Sequence, residues 1–148
     1  MSDRSTSPAR RFAVLATGAI LAASTLLPAN AEPIFELSLQ ETGKRDYYCT
    51  ATFALTAQRS EPFQEVNGFF HAFVDDDQVG RTRAASFRFD EGQMSSTAVF
   101  ESPDLPCEAI NGYAFVVGAC LRDRRFIDLT ECAAEIAPVP PVNDVTAR

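Results

Sequence analysis

Apolar and polar residues alternate with a period of two from residue 34 to residue 137, and this pattern constrains the chain more than any other feature. Turn-forming residues interrupt the alternation at intervals of about ten residues, a rhythm typical of short strands in an all-β protein. The pattern therefore predicts an all-β fold of about seven strands.

The predicted strands differ in how clearly the pattern marks them. Residues 47–56 alternate most regularly, and residues 66–75 carry apolar side chains on both faces, which predicts an interior strand. Asn67-Gly68 is also a strong hairpin signal, but we favour a strand that starts at Gly68. The other predicted strands cover residues 34–40, closed by a turn at 42–44, and residues 79–89, 94–101, 113–121 and 126–137.

The first 31 residues resemble a secretory signal peptide. Three arginines precede an apolar run over residues 12–27, and Ala29 and Ala31 follow as the small residues that signal peptidase selects. An uncleaved anchor is disfavoured, because the run is shorter than the roughly 20 residues of a membrane span. We predict cleavage before Glu32 and a periplasmic or secreted location. Arg10-Arg11 leaves the twin-arginine route open, although the general route is favoured.

The remaining chain is predicted to form one domain over residues 32–137 and a tail over residues 138–148. Three prolines at positions 138, 140 and 141 lack the N–H that a β-ladder needs, so they are expected to end the fold. The residues that follow are predicted to form a flexible, proline-rich tail.

The charge of the chain limits its partners. The full sequence has a net charge of −7, and residues 32–148 hold 10 basic and 19 acidic residues, a net charge of −9. Binding to a phosphate backbone needs clustered cations, which this sequence lacks. We therefore expect neither nucleic acid nor anionic lipid as a partner, and no stable membrane span after cleavage.

Four cysteines, Cys49, Cys107, Cys120 and Cys132, follow the predicted signal. An even number of cysteines in an exported chain indicates disulfides, and the absence of any C-x-x-C pair disfavours zinc. We favour the pairs Cys49–Cys107 and Cys120–Cys132, because the second would join the two strands predicted over residues 113–137. The alternative pairs Cys107 with Cys132 and Cys49 with Cys120. It remains open because the predicted strand order places Cys49, Cys107 and Cys132 at the same end of the molecule.

Several short segments resemble a known family. Residues 49–55, 66–75 and 79–81 and the Glu91-Gly92-Gln93 turn are similar to the strand pattern of FxLYD-type bacterial exported domains. Such domains are similar to fibronectin type III and immunoglobulin sandwiches, so the resemblance implies an immunoglobulin- or fibronectin III-like antiparallel β-sandwich of about seven strands. The resemblance implies a sandwich used for binding or assembly, with no catalytic residues.

Two charged turns are the candidate partner contacts. The first is the arginine turn, residues 122–125, which contains Arg122, Arg124 and Arg125 and is suited to carboxylate or phosphate groups. The second is the acidic turn, Asp75, Asp76 and Asp77, which matches only part of a calcium loop. We interpret it as a turn in solvent and not as a metal site.

The sequence offers no complete catalytic set. His71 is the only histidine and is predicted to be structural, and no nucleophile motif accompanies it. Acidic pairs such as Glu131 with Glu135 are interpreted as a solvated face. We predict no catalytic residue, cofactor or metal.

The sequence thus favours an exported, non-enzymatic domain that binds a protein or envelope component. One alternative is an accessory subunit or a carboxylate-based enzyme with an unrecognised site. Another is a homodimer formed by self-association at an edge strand.

Overall fold

The computed structural model describes residues 33–59 and 63–148, so the predicted signal peptide lies outside the described residues. The described residues form ten strands, one α-helix and a 3-10 helix over Cys107–Ala109. In chain order the strands and the helix are β1 (Phe35–Arg45), β2 (Tyr48–Ala57), β3 (Glu65–Val74), β4 (Asp77–Arg81), β5 (Ala85–Arg88), β6 (Ser95–Pro103), β7 (Gly112–Arg122), β8 (Arg125–Phe126), α1 (Leu129–Ala134), β9 (Ile136–Pro138) and β10 (Val142–Ala147).

The strands form two sheets. One sheet has the order β6-β2-β1-β9, and the other has the order β10-β7-β3-β4, with β5 also paired to β3 and β8 to β7. The predicted all-β fold with two disulfides is confirmed. The expectation of about seven strands, all antiparallel, needs correction, because β9 pairs parallel to β1 and β10 pairs parallel to β7.

Phenylalanines fill the space between the two sheets. Phe53 of β2 stacks on Phe70 of β3 with ring centroids 4.0 Å apart, and Phe35 stacks on Phe63 at 4.5 Å. Burying each such ring contributes roughly 1.5–3 kcal/mol. The largest enclosed rings belong to Phe35, Phe53, Phe63, Phe70, Phe87, Phe100 and Phe115.

Several strand boundaries differ from the predicted ones. β1 continues through residues 42–44, where a turn was predicted. The turn begins at Asp46, which has a φ of 55°. The predicted strand over residues 79–89 is split into β4 and β5 at Thr82. There the amide of Phe70 donates to the Thr82 hydroxyl at 2.8 Å, in place of a regular ladder bond.

β3 is an interior strand, as predicted, and Asn67-Gly68 forms no hairpin. The strand begins at Glu65, before the predicted start, and its pairing with β7 shifts register between Asn67 and Gly68. A Cβ on Gly68 would lie 2.2 Å from the carbonyl oxygen of Val116. The glycine therefore serves close strand packing at a bulge and not a turn.

The predicted strand over residues 126–137 is wrong. The chain makes the two-residue β8, then α1, and then β9. The carboxylate of Asp128 caps α1 by accepting hydrogen bonds from the amides of Thr130 and Glu131, at 2.9 and 3.1 Å. This cap satisfies amides that a helix start leaves without partners, so the helix replaces the strand.

The predicted flexible tail is also wrong. Residues after the prolines form β10, and Val142 is only 1% exposed. The prolines make a turn in which the amide of Val142 donates to the carbonyl of Val139 at 3.0 Å. Because β9 lies in one sheet and β10 in the other, this segment closes one lateral side of the sandwich.

The favoured disulfide pairing is confirmed. Cys49 pairs with Cys107 and Cys120 with Cys132, with Cα atoms 5.4 and 6.4 Å apart. The two bridges lie at opposite ends of the sandwich. Cys120 lies in β7 opposite the start of β3, whereas the chain that follows Cys107 enters β7 opposite the end of β3. Cys132 is therefore not a neighbour of Cys49, and it ties α1 to β7. Among the described residues, no helix is long and apolar enough to cross a bilayer.

Candidate functional site

The arginine turn joins β7 to β8 in a tight hairpin. Asp123 and Arg124, the two residues between the strands, have φ values of 50° and 60°. Positive φ at both positions is the geometry of a two-residue hairpin turn, and it is uncommon for residues other than glycine. The amide of Arg124 donates to the Gln64 side chain at 2.7 Å, which fixes the turn to the start of β3.

Phe126 is the most exposed large apolar residue in the described part of the chain. Its exposed fraction is 78%, and it follows Arg124 and Arg125, which are also exposed. Neither of these arginines forms an ion pair with any described residue. The turn therefore presents two uncompensated cations beside one exposed aromatic ring.

The remaining arginine of the turn, Arg122, is partly buried against the fold. Arg122 forms an ion pair with Glu135, and its guanidinium lies 4.5 Å from the ring centroid of Phe63. A carboxylate oxygen of Glu131 lies 4.0 Å away. Glu131 and Glu135, predicted to be a solvated face, both turn toward this cation. We therefore define the candidate contact surface as Arg124, Arg125 and Phe126.

This surface is rigidly supported. Leu121 and Phe126 pair across the hairpin, and the amide of Ile127 donates to the carbonyl of Cys120 at 3.1 Å. The Cys120–Cys132 bridge then links the same strand to α1. A rigid hairpin loses little conformational freedom when it binds, which favours its use as a contact.

The acidic turn lies at the other end of β3. This strand has ten residues, a length of about 33 Å at the usual rise of a strand. Asp75 is fixed there by Asn111, whose side-chain oxygen accepts from the Asp75 amide and whose nitrogen donates to the Asp75 carboxylate, both at 2.9 Å. Asp76 and Asp77 are exposed. The structure does not bring the two charged turns together.

His71 lies on the outer face of β3, half-buried between two phenylalanines. Its ring centroid is 5.3 Å from that of Phe69 and 6.3 Å from that of Phe73, and Nδ1 hydrogen-bonds the side chain of Gln78. Arg81 covers the Phe69 ring at 3.9 Å. The contacts of His71 are thus rings and an amide. No group of three or more metal-ligating side chains occurs within residues 33–59 and 63–148.

Among the residues that the structure describes, two ionisable groups have pKa values shifted by their surroundings. The hydrogen bond from the Asn67 side chain, helped by Arg88, holds the pKa of Glu65 below its ordinary value of 4.5. Burial raises the pKa of Tyr113 above its ordinary value of 10.0. Glu65 lies next to Gln64 and stabilises the strand that supports the arginine turn.

Phe126 is the residue of the candidate contact surface that sequence reasoning missed. The alternation placed it inside a strand, although Asp128 and Glu131 have the spacing of a helix capping signal and indicated a helix start just after it. Because the chain leaves the sheet after Phe126 to begin α1, the Phe126 side chain is not directed into the core.

Two facing sheets with a disulfide at each end define the protein as a disulfide-linked β-sandwich. No family model and no curated sequence matches the chain. The fold is similar to the solved structure of IrmA from Escherichia coli, with a TM-score of 0.59 and 11% sequence identity over 74% of this chain and 93% of that one. At this identity the similarity describes the fold alone.

Proposed function

We propose that this protein is an exported, non-enzymatic β-sandwich that binds a partner protein through Arg124, Arg125 and Phe126. The observation that carries the proposal is an aromatic side chain, 78% exposed, beside two arginines without ion pairs in the described chain. Aromatic residues, including phenylalanine, and arginine are enriched in protein–protein interfaces relative to the rest of the surface. Two disulfides support a periplasmic or secreted location, where such bonds persist.

The chemistry of the surface indicates the chemistry of the partner. Arginine binds carboxylates through two parallel hydrogen bonds, and an exposed ring contributes most when a pocket encloses it. We therefore expect an apolar depression bordered by carboxylates on the partner. The sandwich acts as a scaffold that holds the hairpin in place.

Cross-linking on intact cells, followed by mass spectrometry, tests the proposal. Wild-type protein should capture a partner that Phe126→Ser and the double variant Arg124→Glu/Arg125→Glu both lose. Tyr47→Ser is the matched control, because Tyr47 is 60% exposed at the opposite end of the molecule. The proposal fails if all variants capture the same proteins as wild type, or if the captured species is a second copy of this chain.

A further inference from the structure

A groove opens on the lateral side of the sandwich that β9 and β10 do not close. It has a volume of about 660 Å³ and runs between β6 and the edge formed by β4 and the following loop. Toward one end β5 approaches β6, and the amide of Arg88 donates to the Ser96 hydroxyl at 2.9 Å, which closes the gap there. The residues that line it include Tyr48, Arg81, Arg83, Val99, Glu101 and Ser102.

The edge of β6 that faces this groove has no strand partner among the described residues. Two hydrogen bonds fix the direction of its backbone groups: Ala57 N–H donates to the Met94 carbonyl, and Asp104 N–H donates to the Tyr47 carbonyl. Backbone groups in an antiparallel ladder alternate between the two sides of a strand. Val99 and Glu101, at the odd positions, therefore direct their N–H and C=O groups away from β2.

The unpaired backbone groups of Val99 and Glu101 face the groove. Val99 and Glu101 both line it, and Val99 is 48% exposed. Pro103 follows at the next outward position and has no N–H to offer, so the open edge ends there. The edge thus offers two amides and two carbonyls in the spacing of a strand.

The charge of the groove is opposite to that of the chain. Arg81 and Arg83 line it, and neither forms an ion pair within the described residues. The Arg81 guanidinium is stacked on the Phe69 ring, so Arg83 is the cation available to a ligand. The carboxylate of Glu101 is already paired with Arg45 at 2.7 Å. In a chain of net charge −7, this groove therefore keeps a local positive charge.

We propose that this groove binds an extended acidic peptide segment of a partner protein, which adds to the free edge of β6 as a further strand. The backbone groups of Val99 and Glu101 supply the ladder hydrogen bonds, and Arg83 pairs with a carboxylate of the peptide. An exposed sheet edge with side-chain contacts beside it is a general mode of peptide recognition. This site is separate from Phe126 and does not depend on the function proposed above.

Fluorescence anisotropy with a labelled eight-residue peptide of alternating valine and glutamate tests the inference on the purified protein. Wild type should bind this peptide and not a valine–lysine peptide of equal length. Arg83→Glu should weaken binding at least tenfold, whereas Lys44→Glu, which reverses the charge of an exposed residue outside the groove lining, should leave it unchanged.

A second pair of variants tests the backbone contact. Val99→Pro removes one outward N–H and leaves the hydrogen bonds to β2 in place, so it should weaken binding at least fivefold. Val99→Thr keeps the N–H and should bind as wild type does. Thermal unfolding of each variant confirms that it is folded before its binding is measured.

Three results would overturn the inference. One is the absence of binding by wild type at millimolar peptide, and another is equal binding by wild type and Arg83→Glu. The third is full competition by free glutamate at the concentration of the peptide, which would make the groove a small-anion site. Loss of partner capture by the Phe126 variant has no bearing on these results.

Discussion

Arg122, at the end of β7, forms an ion pair with Glu135, the residue at the C-terminal end of α1. The side chains are 26% and 13% exposed, so the pair is shielded from much of the solvent. Arg122→Ala removes this pair and the contact with Phe63, and we expect it to lower the free energy of unfolding by about 2 kcal/mol. Arg125→Ala, in the exposed part of the same turn, should change it by less than about 0.5 kcal/mol. Urea unfolding of both variants checks this, and equal values would contradict it.

Gly68 is expected to tolerate no side chain. A Cβ there would lie 2.2 Å from the Val116 carbonyl oxygen, whereas a Cβ on the facing Gly118 would have its nearest neighbour at 3.7 Å. Gly68→Ala should therefore destabilise the protein by about 2 kcal/mol or more, and Gly118→Ala by less than about 1 kcal/mol. Denaturant midpoints compare the two. A smaller loss for Gly68→Ala than for Gly118→Ala would exclude the tight approach.

The C-terminal strand is expected to be necessary for the fold. Val142 is buried, while the next residue, Asn143, is exposed. Val142→Asp places a charge in the core and should cost about 3 kcal/mol or more, whereas Asn143→Asp should be close to neutral. Thermal unfolding followed by circular dichroism measures both. If the two variants melt together, residues 142–147 behave as a tail.

Glu65 predicts a pH dependence with a definite sign. Its pKa is below 4.5 in the folded protein, so its contribution to stability is present above that pH and is lost as the pH falls through the folded pKa. Wild type should be more stable than Glu65→Gln at pH 7, and the difference should shrink as the pH falls below 4.5, the ordinary pKa of this carboxyl, and through its lowered folded pKa. Asn67→Ala should reduce this difference. Urea midpoints across the range measure it, and a constant difference would refute the assignment.

The two disulfides should contribute unequally. Cys49–Cys107 closes a separation of 58 residues and Cys120–Cys132 one of 12. The chain-entropy model gives about 4 kcal/mol for the longer loop and about 3 kcal/mol for the shorter one. Pairwise replacement by alanine, with denaturant unfolding as the measurement, should reproduce this order. The reverse order would show that contacts near Cys132 outweigh loop closure.

The sequence was most informative where side chains alternate on a regular strand. The predicted strand over residues 47–56 is β2 with a shift of one residue, because its inward residues pack against the opposite sheet and its threonines suit an exposed pleat. The disulfide pairing was also predicted correctly. The stated reason was partly wrong, since Cys132 lies in α1 and not in a strand.

Elsewhere a local signal competed with the alternation. The Asp128 cap overrides the strand pattern around it, and Asn67-Gly68 lies in β3 opposite a bulge at Gly118, where β7 approaches closely. Parallel pairing of β10 with β7 depends on contacts between distant segments, which a pattern of prolines and valines does not reveal. The exposed position of Phe126 follows from the same missed helix start.

Because β10 pairs with β7, the six-stranded sheet can be completed only late in the synthesis of the chain. Residue 147 must emerge before the six-stranded sheet is complete, so a nascent chain that ends earlier presents β7 with one side bare. The protein thus reaches its native state only after elongation has passed this point.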